Sequence, residues 1–198
     1  MSHLFARCYD AFMFPLERST FQAKRQETAG KATGHVLELG SGTGANFPFY
    51  KHADSVTAVE PDPAMRERST KKGQRAASPV ILADARAEEL PFHNNSFDTV
   101  IATLVFCSID DPHQAFQEIQ RVAKPGARVY FFEHVRSHHP LIEGLQDALT
   151  PAWKRVFDGC RLNRPTDHLL KAAGFQNVQI DEAFEHVFVT IEGQIPES

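Results

Sequence analysis

The sequence predicts a single α/β domain, a doubly wound sheet covered by helices on both faces. Three observations carry this. Apolar runs and helical stretches alternate along most of the chain, as in sheets whose strands are joined by crossover helices. The runs are continuous rather than alternating, which suits parallel strands buried on both sides. A glycine-rich loop, Gly40-Ser41-Gly42-Thr43-Gly44, follows the first run, at the carboxyl end of a strand where open α/β sheets bind ligands. At 198 residues and 42% hydrophobic, the chain is long enough for one such domain and its core, 1–198.

The elements follow in order. Residues 1–30 read as a helical lead-in that closes at Gly30. Its Leu4, Phe5, Cys8, Phe12 and Leu16 share one helical face, suited to a lid packed on the domain; with few basic residues, a membrane-surface helix is the weaker reading. Strands are expected at His35–Leu39, Ser55–Glu60, Pro79–Ala83, Phe97–Phe106 and Ala127–Glu133. Asp62-Pro63 and Asp111-Pro112 each supply an N-cap and a first-turn proline for a helix. The second of these helices puts Phe116, Ile119 and Val122 on one face and is stopped by Lys124-Pro125-Gly126. Residues 136–165 break the pattern and read as an inserted helical segment over the sheet, where a substrate would bind. A helix from Thr166 to Gly174 and a strand pair, Gln176–Asp181 with His186–Ile191, close the chain and predict one antiparallel edge strand.

The formal charge of −4 gives no general pull toward nucleic acid, and no N-P-P-Y loop follows the fourth strand. Ten histidines match no metal-ligand spacing, so no metal is expected. Cys8, Cys107 and Cys160 are odd in number and form no C-x-x-C pair, which argues against a disulfide framework and for a reducing cytoplasm. Arg7, Asp10 and Glu17 interrupt the N-terminus, so it reads as neither signal peptide nor membrane span.

The glycine loop alone does not choose a ligand. Gly40-x-Gly42-x-x-Ala45 also fits a dinucleotide site, with Glu60 near the ribose-binding position. A P-loop is excluded because no Gly-Lys-Ser/Thr follows. Glu38, just before the loop, tips the balance: a carboxylate there repels a pyrophosphate and attracts a cation. Glu60 ends the second strand and can accept from two hydroxyls. Asp84-Ala85 ends the third, where a carboxylate can accept from an exocyclic amine.

VLELGSGTGANF, VEPDP, ADA, ELPF…SFD and RVAKPG, in that order over residues 35–133, resemble the class I S-adenosylmethionine-dependent methyltransferases. The resemblance implies a Rossmann-like seven-stranded sheet and S-adenosylmethionine held by Glu38, Gly40, Ser41, Gly42, Gly44, Asn46, Glu60, Pro61, Asp84, Ala85 and Thr103. GTGANFPFY (42–50), TLVFCS (103–108), FFEHV (131–135) and PAWKRVFDGCRLNRPT (151–166) are similar to the alkyl-thiol S-methyltransferases of animals and their bacterial relatives. That narrower resemblance implies a small thiol or similar soft acceptor, with a quinol or phenol, or an amine or phospholipid headgroup, as alternatives. A cofactor-binding scaffold without catalysis is the reading from another class.

Thiol methylation needs a thiolate, dry surroundings and an outlet for one proton. His134 follows the fifth strand and is the expected base, unless it packs or caps. Asp158 is either a second acid–base group or a helix cap. Glu133 either orients His134 or faces the cofactor. Phe106, Trp153 and Phe157 are expected to wall the substrate pocket or, failing that, to belong to the core. Cys160 and Cys107 read as pocket or core residues without a covalent role. Arg161 and Arg164 read as solvated charges or as receptors for an acidic group.

Overall fold

The structure, a computed structural model, describes residues 21–157 and 159–197. The lid reading of residues 1–20 and the catalytic reading of Asp158 lie outside them. Helix α1 (Gln22–Thr28) leads into β1 (Thr33–Leu39). There follow β2 (His52–Val59), α2 (Pro63–Gly73), β3 (Val80–Ala83), β4 (Phe97–Thr103), α3 (Pro112–Val122) and β5 (Ala123–His134). The chain continues with α4 (Pro140–Val156), α5 (Thr166–Ala172), β6 (Gln176–Ala183) and β7 (Phe188–Gln194).

The seven strands form one sheet in the order β3-β2-β1-β4-β5-β7-β6. Strands β1 to β5 are parallel. The chain winds outward from β1 through β2 to β3, then returns to β4 and winds the other way. The loops after β1 and β4 therefore diverge and leave a crevice at their carboxyl ends. The antiparallel strand differs from expectation in its place. It is β7, which lies between β5 and β6 rather than at the edge. The α5 crossover carries β6 past one empty position beside β5, and the short turn after β6 brings β7 back to fill it.

The pleat sends alternate residues into two apolar layers. Leu37, Leu39, Val100, Val129 and Phe131 face one layer, where α3 inserts Ala115, Phe116, Ile119 and Val122. Phe116 stacks on Phe106 with ring centres 4.8 Å apart; burying such a ring stabilises by about 2–3 kcal/mol. Val36, Val56, Ala58 and Ile101 face the other layer, with Ala29, Phe47 and Tyr50. The proposed caps form: Asp62 accepts from Met65 N at 2.9 Å and Asp111 from Gln114 N at 3.1 Å. Helix α4 is tied to the end of β5 by buried Gln146, which donates to Val135 O and accepts from Ser137 N, both at 2.9 Å. Its outer stripe, Leu141, Leu145, Leu149 and Val156, stays exposed. Among the described residues, no helix is long and apolar enough to cross a membrane.

Candidate active site

A cavity of about 640 Å³ opens over the carboxyl ends of β1, β2, β4 and β5, within the size range of small-molecule sites. At one end stands the glycine loop. Gly40 has φ +60°, and a Cβ there would meet Val105 Cγ2 at 2.2 Å. Gly42 has φ +53°, and a Cβ there would meet nothing within 4 Å. The first glycine lets two loops touch; the second keeps the cavity floor clear.

Glu60 fastens this loop. One carboxylate oxygen accepts from Gly42 N and the other from Asp62 N, each at 2.9 Å. Below the loop, buried Asn46 donates to Glu38 Oε1 at 2.9 Å and to Thr103 Oγ1 at 3.0 Å. Its own carbonyl oxygen accepts from Arg25 Nη1 at 2.8 Å. Glu38 Oε2 and the neighbouring Tyr50 hydroxyl are buried, and neither has a hydrogen-bond partner at contact distance. Burial pushes the Glu38 carboxyl up to about 7, against the pull of Tyr50, Asn46 and Arg25. A buried carboxylate in the cavity lining suits a cation. The ammonium group of S-adenosylmethionine supplies one, and Glu60 at the end of β2 suits its ribose hydroxyls. The residues present therefore fit this group.

The other end is assembled from three separate segments. His134, at the end of β5, has Nε2 3.1 Å from Cys160 Sγ, and its Nδ1 is buried without a partner. Cys107 Sγ completes a trio in which the sulfur and nitrogen atoms all lie within 4.8 Å of one another. Cys107 favours the thiolate of Cys160, and His134 adds to this, so Cys160 is driven below the ordinary thiol range. Cys107 itself, beside that thiolate and fully buried, is pushed well above it. Trp153 stacks on Phe157 at 3.9 Å, forming an apolar wall. Phe21, Val187 and Phe188 add to the lining.

Two buried charges hold this end together. Glu133 accepts from Val105 N at 3.0 Å and from Phe106 N at 3.2 Å. Burial raises it to about 7. These bonds retain a loop whose Leu104 has φ +55°, a strained conformation for a bulky residue. Arg164, 6% exposed, donates to the carbonyls of Phe106 and Ile109. Arg161 N donates to Cys107 O at 3.1 Å, joining the same two loops.

Of the expected cofactor residues, Glu38, Gly40, Ser41, Gly42, Asn46 and Glu60 line the cavity, as do Pro61, Ala85 and Thr103. Gly44 stands behind the lining, tight against Phe47. Asp84 is outside it, 68% exposed and paired to Arg66 at 2.8 Å. Among the expected acceptor residues, His134, Trp153, Phe157 and Cys160 line the cavity. Phe106 does not; the strand ends at Thr103, and the turn after it sends Phe106 down between Phe116 and Phe131. Glu133 is fully buried, outside the lining, and its two oxygens clamp the backbone of Val105 and Phe106. Arg164 is a buried tie, neither a solvated charge nor a receptor. No sequence motif marks Arg25 or Gln146; each is one polar residue among several on its helix, and only the fold turns it inward.

This fold and site define a class of protein. The methyltransferase-domain family matches residues 37–131. A solved structure from Thermotoga maritima, described as an S-adenosylmethionine-dependent methyltransferase and possible histamine N-methyltransferase, has the same fold. Its TM-score is 0.72 at 24% identity, over 99% of both chains. The chain is 39% identical to the rat thiol S-methyltransferase TMT1B, over 74% of this chain and 62% of that protein. It is 33% identical to human TMT1B, over 86% of this chain and 75% of that one. The chain belongs to the class I S-adenosylmethionine-dependent methyltransferases, with thiol S-methyltransferases among its relatives. S-adenosylmethionine is its methyl donor.

Proposed function

We propose that this enzyme methylates the sulfur of a small-molecule thiol. The observation that carries the reading is the extent and degree of the kinship: over 86% of this chain in each case, human TMT1B is 33% identical and a demethylmenaquinone methyltransferase 28%. Residues 1–131 are 131 of 198, about two thirds of the chain, yet the match to human TMT1B covers 86%. It therefore reaches past the methyltransferase-domain match into the segment that builds the acceptor end. The chemistry of that end agrees. From β5 onward, no described lining residue is Asp, Glu, Lys or Arg, which favours an apolar acceptor over a charged headgroup. An apolar thiol would find the Trp153–Phe157 wall.

S-adenosylmethionine supplies an electrophilic methyl on a sulfonium. Glu38 and Glu60 bind and orient the donor, with Pro61, Ala85 and Thr103 bordering it. Trp153 and Phe157 exclude water around the acceptor, and His134 stands at its reacting end. Glu133 and Arg164 keep the loops that carry these groups in register. A reducing cytoplasm, where Cys107 and Cys160 stay free, is the compartment we assign.

The test is incubation with methyl-labelled cofactor and a panel of thiols, a quinol, an amine and phosphatidylethanolamine. Labelled thioether is the expected product. Label in the quinol, amine or phospholipid alone would overturn the thiol reading. Calorimetric cofactor binding without any labelled product would favour the scaffold.

A further inference from the structure

The trio at the acceptor end has the make-up of a metal site. Cys107 comes from the loop after β4, His134 from the end of β5 and Cys160 from the loop after α4. All three line the cavity. Their donor atoms lie within 4.8 Å of one another, with His134 Nε2 and Cys160 Sγ 3.1 Å apart. A tetrahedral zinc has bonds of about 2.3 Å to sulfur and 2.0 Å to nitrogen, which gives edges of about 3.5–3.8 Å. The spacing of the three atoms, 3.1 Å for one pair and no more than 4.8 Å for the others, brackets those edges.

The donor chemistry selects the cation. Two thiolates and an imidazole suit zinc and disfavour magnesium or calcium, which take oxygen. The ligands are also held in advance. Arg161 N fixes the carbonyl of Cys107, and Glu133 fixes the two residues before Cys107. Such outer support is what a precise metal site requires. Three protein ligands leave one position free, the pattern of catalytic rather than structural zinc.

We propose that Cys107, His134 and Cys160 form a three-ligand zinc site whose remaining coordination position opens into the acceptor cavity. Its consequence for catalysis rests on the thiol reading above. An acceptor thiol would fill that position: its S–H bond breaks, a Zn–S bond forms and the proton passes to water. The bound sulfur would remain a nucleophilic thiolate at neutral pH. Methylation would then turn it into a thioether, a weaker ligand that leaves.

The test is metal titration of the full chain, reduced with a phosphine and freed of metal by a chelator. Cobalt(II) is expected to bind with one equivalent, giving thiolate-to-cobalt charge-transfer absorption and tetrahedral visible bands that zinc abolishes. Cys160→Ser, and separately Cys107→Ser or His134→Gln, should weaken zinc by more than about 100-fold, since losing an outer partner alone costs 10–100-fold. Calorimetric binding of S-adenosylhomocysteine by each variant shows that it is folded. The His138, Asp167 and His168 side chains also cluster within 4.8 Å, so His168→Ala is the control. No charge-transfer band, or zinc lost in His168→Ala but retained in Cys160→Ser, overturns the proposal. Zinc bound by the trio in an enzyme that methylates only a quinol would overturn the thiol reading and leave the site standing. Full thiol methylation by metal-free enzyme, with no cobalt–thiolate band, would do the reverse.

Discussion

At the glycine-loop end of the cavity, most polar ties join residues close in the chain. Asn46 and Glu38 are 8 positions apart, Gly42 and Glu60 18. At the acceptor end, His134 and Cys160 are 26 apart, Glu133 and Val105 28, and Arg164 and Phe106 58. The donor end is thus largely a property of one β-loop-β unit. The acceptor end exists only when three loops arrive together. Changes at the first should act mainly on donor binding, and changes at the second on acceptor handling and stability.

The largest effect is expected from Glu60→Ala. It removes the acceptor of two backbone N–H groups, and bonds to a charged partner are worth about 1.5–3 kcal/mol each. Calorimetry should show affinity for S-adenosylhomocysteine lowered by about 100-fold or more. A loss under about fivefold would show that the donor end does not depend on this strap.

Arg164→Met comes next. It leaves the carbonyls of Phe106 and Ile109 without their donor, at a cost of about 2–3 kcal/mol. At about 2–4 °C per kcal/mol for a chain of this size, Tm should fall by roughly 5–10 °C. Acceptor KM should rise while donor affinity changes little. Equal losses at both ends would erase the contrast between them.

A third prediction concerns pH. Glu38 is raised from 4.5 to about 7 by burial. The folded state therefore holds this proton more tightly than the unfolded chain. Its contribution to stability is fullest below pH 4.5 and is lost as pH rises through about 7. Donor binding runs the other way, because the ammonium group pairs with the ionised carboxylate. Affinity for S-adenosylhomocysteine should rise about tenfold, near 1.4 kcal/mol, between pH 6 and 8. Glu38→Gln should flatten that rise in calorimetric titrations.

The smallest effect is expected from Trp153→Leu. Losing the stack on Phe157 removes about 1 kcal/mol, so acceptor KM should rise roughly fivefold. Steady-state kinetics with a thiol series would sharpen the comparison, since larger apolar thiols should suffer most.

The donor end was legible in the sequence because its chemistry is local. Glu38, the glycine loop, Asn46 and Glu60 fall within one short stretch, and all but Gly44 reach the cavity lining. Asp84 shows the limit of motif reading: the strand end places it as expected, but Arg66 draws its carboxylate to the surface. Phe106 shows another limit. Its apolar character is equally suited to wall and core, and the turn at Leu104 decides between them. Arg164 read as surface charge because most arginines are; its two carbonyl partners lie 55 and 58 residues away.

The sequence by itself determined the fold class, the strand that carries the glycine loop and the methyl donor. Continuous apolar runs, capped helices and a carboxylate before the loop follow from local propensity and charge. Only the tertiary structure decided which strand turns antiparallel, that Glu133 and Arg164 serve the backbone, and that Cys107, His134 and Cys160 meet. The reason is physical. Strand order and loop crossing are settled by burying both sheet faces at once, and a contact made across that packing leaves no spacing in the chain to read.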